Sequence, residues 1–144
     1  MSNKIVTTFE LCRGVAKLVQ PGNPNLAKDV QRIITKFNRY IAQSFAKAKT
    51  HTRGTTTVCV EVPHIGQFIS MIPEDFSNSP QYDLVPCQLL QQECCFPQRQ
   101  GPDCDIKKEI SISHISDLAQ VDMEMTSQIL QGISQHIVSF FSGK

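Results

Sequence analysis

The chain has 144 residues, 40% of them hydrophobic and 19% charged, which is enough apolar content for a packed core and too much for a disordered chain. No apolar run approaches the ~20 residues that a bilayer span requires, and the opening residues, Met1 to Val6, lack a secretory pattern, which predicts cytosol or nucleus. The net charge of +1 conceals a polarity: residues 1–54 hold ten Lys/Arg against Glu10 and Asp29, a balance of +8, while residues 55–144 hold four against eleven acids, a balance of −7. Such polarity predicts a basic face that meets an acidic partner, and it says nothing about fold.

Thr7 and Glu10 have the spacing of a capping box, and Leu11, Val15, Leu18 and Val19 recur at helical intervals until Pro21-Gly22-Asn23-Pro24 interrupts, so the first element is a short helix. Asn23 or Asn25 caps the next helix, with Pro24 suited to its first position. Leu26, Val30, Ile33, Ile34, Phe37, Ile41 and Phe45 give that helix a long apolar stripe. A polar, basic loop from Lys47 to Thr55 follows. Thr56, Val58, Val60 and Val62 then alternate with Thr57, Cys59 and Glu61, so residues 56–72 read as a hairpin whose turn needs the backbone freedom of Gly66.

Residues 73–108 are rich in proline and carry four of the six cysteines; they predict an irregular excursion with one short helix, Leu89 to Cys95. Ile110 and Ile112 look extended. Ser111 or Ser113 caps a short helix through Ala119, and Asp122 caps a long one reaching Ser142, with Gly143 as its stop. Displacing the second helix along the chain maps Ile33 onto Ile129, Ile34 onto Leu130, Phe37 onto Ile133, Ile41 onto Ile137 and Phe45 onto Phe141, which suggests one short-helix, turn, long-helix unit used twice.

The order of short helix, long helix and valine-rich hairpin, the last written Val58-Cys59-Val60-Glu61-Val62-Pro63-His64-Ile65-Gly66-Gln67-Phe68, resembles the HU/IHF-type fold. Across roughly residues 10–144 the chain is similar to the N-terminal region of the coiled-coil-domain-containing protein 81 family, in which two HU-like domains lie in tandem. The resemblance implies an α+β chain of two helix-turn-helix units packed as an intramolecular pseudo-dimer, with a β-hairpin from the first copy. It divides the chain into a first HU-like domain (1–72), an irregular segment replacing the DNA-binding arm (73–108) and the helical half of a second domain (109–144), with its hairpin expected beyond Lys144.

HU and IHF proteins bend DNA with long basic arms, but here residues 70–108 hold only Arg99, Lys107 and Lys108 against Glu74, Asp75, Asp83, Glu93, Asp103 and Asp105. An acidic arm repels phosphate. Lys28, Arg32, Lys36 and Arg39 instead form one ridge of the second helix, opposite its apolar stripe, and Lys47, Lys49, His51 and Arg53 extend the charge into the loop. The plain alternative is a solvated polar face. The family resemblance implies a cytoplasmic, cytoskeletal setting, in a ciliary or flagellar axoneme or at a centrosome. There the ridge, with Lys47, Lys49 and Arg53, would face tubulin or other axonemal or centrosomal proteins.

Nucleic acid is the alternative partner, and a protein-protein module presenting Phe140 and Phe141 is a third reading. Neither a membrane nor a small-molecule substrate is expected. All six cysteines, Cys12, Cys59, Cys87, Cys94, Cys95 and Cys104, are expected as thiols, because a reducing compartment keeps them so and their spacing suits no zinc site. No cofactor, catalytic residue or metal is predicted. His64 reads as a turn residue and His136 as a core or interface side chain.

Overall fold

The computed structural model describes residues 8–23, 25–48, 54–73 and 79–142, and within them the chain is α+β, with five helices and a four-stranded mixed sheet. In chain order the elements are α1 (Thr8–Val19), α2 (Leu26–Lys47), β1 (Thr56–Val62), β2 (Gly66–Ile72), β3 (Gln81–Pro86), α3 (Gln88–Glu93), β4 (Ile106–Glu109), α4 (Ile112–Ala119) and α5 (Met123–Ser142). Thr7, Pro24 and Gly143, expected at helix ends, lie outside the described residues.

The fold divides into two units, with boundaries inside α2, between Lys36 and Phe37, and again between Ser111 and Ile112. The expected boundaries at 72 and 108 both fall inside the second unit.

The first unit is helical, built from α1, α2 as far as Lys36, α4 and α5. Val15, Leu26, Val30, Ile33, Ile115, Ile129 and Leu130 are buried, as the helical spacing of the apolar residues requires. α1 runs along α5 at close range, because Gly132 presents no side chain to Val15 and Val19, and Gly14 faces the His136 ring in the same way. Asp122 caps α5 by accepting the Met125 N–H at 2.7 Å. Ser111 occupies the residue before α4. Ile112, expected to be extended, is instead the first residue of that helix.

The second unit holds the rest of α2, the sheet and α3. Its strand order is β3-β2-β1-β4, with β1, β2 and β3 antiparallel and β4 parallel to β1. The predicted hairpin is present in register, Val58 opposite Ser70 and Val62 opposite Gly66. Val58, Val60 and Val62 are fully buried, each burial contributing about 2 kcal/mol relative to exposure. His64 turns the chain with φ 67°. Gly66 at φ 145° is required twice over, since a Cβ there would collide with the backbone of Val85, Pro86 and Cys87.

The segment 73–108, expected to be irregular apart from one short helix, contains β3, α3 and all but the last residue of β4. The correction has a physical cause: β3 and β4 lack strong alternation and are held by long-range pairing, Ser70 with Tyr82 and Val58 with Ile106. The Asp105 N–H donates to the Thr57 carbonyl at 2.9 Å and the Thr57 N–H to the Asp105 carboxylate at 2.8 Å, which fixes where β4 begins. The expectation of six thiols is corrected as well, because Cys59 and Cys104, 45 residues apart, form a disulfide. The parallel β1–β4 pairing brings them together, a neighbourhood that sequence spacing does not reveal.

Candidate docking face

α2 owes its length to 22 residues free of Gly and Pro. Asn23 shapes the turn before it by accepting the Asn25 N–H at 3.0 Å, leaving Asn25 at the residue preceding the helix. Asp29 in the first turn and Lys47 in the last complement the helix dipole. Because the apolar stripe is turned to the core, the remaining side is left to solvent, and the predicted cations fall there: Lys28, Arg32, Arg39 and Lys47 are exposed and Lys36 is half-buried.

Among the described residues the sole ion pair on this side joins Arg32 to Asp29 at 3.9 Å. An exposed pair of that kind contributes ~0–1 kcal/mol and leaves the face strongly basic. Lys49, His51 and Arg53 lie outside the described residues.

Among the described residues no three His, Cys, Asp or Glu side chains stand close enough to hold a metal ion. Cys12, Cys87, Cys94 and Cys95 are thiols. Burial pushes the Cys12 thiol up; burial, then the neighbouring Cys95, Glu93 and Cys87, do the same for Cys94, so neither forms a ready thiolate at neutral pH. Cys87 donates to the His64 carbonyl at 3.5 Å, beside a polar cavity of ≈ 440 Å³ that Glu61 and Arg99 also line.

Below this cavity Gln91 is buried and fully bonded. Its amide donates to the Pro86 carbonyl at 2.7 Å and the Arg99 carbonyl at 3.1 Å, and its oxygen accepts the Arg99 N–H at 2.7 Å. That arrangement anchors the chain after α3. The Arg99 guanidinium then reaches Asp83 at 2.6 Å and holds its carboxyl below the usual aspartate range.

One feature escaped sequence reasoning. A groove of ≈ 650 Å³ opens between the last turns of α2 and the sheet, with Phe45 and Tyr82 among its walls. The exposed Phe140 and Phe141 rings stack edge to face at 5.3 Å. The aromatic residues themselves are visible in the sequence, but only pairing of β3 with β2 brings Tyr82 beside Phe45. No helix among the described residues is long and apolar enough to cross a membrane. Comparison with family models, curated proteins and solved structures gives no match.

Proposed function

We propose that this chain is a non-enzymatic docking module of the microtubule cytoskeleton, an axonemal or centrosomal component that meets an acidic lattice through the basic side of α2. One observation carries the reading: Lys28, Arg32, Lys36 and Arg39 follow one side of a long helix with a single weak counter-charge. A merely solvated helix face ordinarily mixes both signs to gain i,i+4 pairs. The finer architecture belongs to the same proposal: two HU/IHF-like units in tandem, related to the coiled-coil-domain-containing protein 81 family and paired within one chain. The order of α1, α2, β1 and β2, and the packing of α1 on α5, support it.

Nucleic acid would meet the same cations, but Asp83, Glu93, Asp103, Asp105 and Glu109 stand in and around the sheet, where an HU-type arm would need Lys and Arg. The deciding experiment pellets the purified chain with stabilised microtubules across a salt series, with and without excess duplex DNA. Expected is salt-sensitive pelleting that survives DNA. Converting Arg32, Lys36 and Arg39 together to Glu abolishes it with the melting curve preserved. Stripping by DNA, with an affinity that falls by a log–log salt slope of roughly −4 for four neutralised phosphates, would instead assign the face to nucleic acid.

A further inference from the structure

The groove beside the C-terminal half of α2 has the makings of a specificity pocket. Ile41 and Phe45 form its helix wall, Ile72 and Tyr82 its sheet wall, and its volume is ≈ 650 Å³, within the ~300–1,000 Å³ of pockets that enclose a ligand. The Phe45 and Tyr82 rings stand 5.9 Å apart and tilted by 31°, and Tyr82 is 67% exposed. Among the described residues, no Asp, Glu, Lys or Arg lines the groove. A charged group entering it would be desolvated without a partner, so the occupant's anchor is neutral and apolar.

The lip fixes the sign of what surrounds that anchor. Ala42 and Ala46 are exposed on the groove's helix edge and small enough for a partner backbone to approach. Arg39 precedes them by three and seven residues, on the same side of α2. It is exposed and forms no ion pair among the described residues.

We propose that this groove recognises an acidic amphipathic segment of a partner protein. The segment sets bulky apolar side chains against Phe45 and Tyr82, and its carboxylates meet Arg39. The inference rests on the docking function proposed above and names what the partner must present. Cations alone select any acidic surface; an apolar pocket with a basic lip selects an acidic surface that also offers an anchor.

The test uses the full chain and a fluorescein-labelled synthetic helix of roughly 16 residues, with Leu at helical spacing and Glu elsewhere, followed by anisotropy. A control peptide carries Ser for each Leu. The Leu peptide is expected to bind at least about tenfold more tightly than the Ser peptide. Ala42→Trp, which fills the groove, and Tyr82→Ser each weaken it by about tenfold, and Arg39→Glu both weakens it and flattens its salt dependence. Ala42 and Tyr82 are exposed, and unchanged melting curves confirm that these variants fold.

Equal binding of the two peptides, or indifference to Ala42→Trp and Tyr82→Ser, overturns the inference. So does displacement of the Leu peptide by single-stranded oligo-dT whose own binding depends on Tyr82, which would make the groove a nucleobase site. Microtubule pelleting of Ala42→Trp separates the two proposals. If pelleting stays salt-sensitive while the peptides fail to discriminate, the groove inference falls and the docking face stands. If the wild type pellets with nothing yet binds the Leu peptide through Tyr82, the lattice falls and the groove's preference stands.

Discussion

Thr56 and Ser70 carry buried hydroxyls without a hydrogen-bond partner among the described residues, at 4% and 1% exposure. Each such group forfeits about 1–3 kcal/mol of solvation. Thr56→Val and Ser70→Ala are therefore expected to raise stability by about 1 kcal/mol each, read as higher urea midpoints; lower midpoints would show that the hydroxyls are bonded after all. Alternation placed Thr56 on the buried side of β1, but Ser70 is polar in a strand of mixed pattern, and its burial follows from pairing with Val58. Asp83 gives a second expectation. Its hydrogen bond to Arg99 lowers the folded carboxyl below its unfolded value, so its stabilisation is present above the ordinary aspartate range and lost as pH falls through the lowered value. Stability curves of wild type and Asp83→Asn should differ at neutral pH and converge in acid. Curves that stay parallel would remove the pair from the stability of the fold.

At the scale of elements, the close approach of α1 and α5 is carried by residues without side chains. A Cβ on Gly132 would lie 2.7 Å from Val19 Cγ2 and 3.1 Å from Val15 Cγ1. Gly132→Leu should cost about 3 kcal/mol or more in thermal melts. Gly22→Ala, with nothing among the described residues within 4 Å of the added carbon, should leave the melting temperature almost unchanged. Comparable losses in both would mean that helix spacing is not set at Gly132. The helices themselves were legible: α1, α2 and α5 follow from spacing and stop signals, and α3 lies within a residue or two of the predicted Leu89–Cys95. β3 and β4 were not, since a short strand at a sheet edge draws its stability from its neighbour and leaves little trace in its own residues. The repeat was legible only in part: Ile33 and Ile129, then Phe37 and Ile133, are buried alike, whereas Phe45 is half-buried and Phe141 exposed.

Across the whole molecule, the Cys59–Cys104 disulfide ties β1 to the segment entering β4 and closes a loop that contains β2, β3 and α3. Closing a loop of that length contributes about 2–4 kcal/mol through the unfolded chain. Cys104→Ser, or a reductant, should lower the urea midpoint accordingly, and intact-mass measurement of the unreduced chain should find two hydrogens missing. Identical melts with and without reductant would restore six thiols. The bond also bears on location, because disulfides persist where the compartment is oxidising. The amino-acid sequence by itself determined the helices, the first hairpin, the polarity of charge and the basic side of α2, since each depends on spacing within a few turns or strand residues. Tertiary structure alone decided the two edge strands, the disulfide and the groove between Phe45 and Tyr82. Those contacts join segments tens of residues apart, and a contact of that range is fixed by sheet register and packing, which no local periodicity encodes.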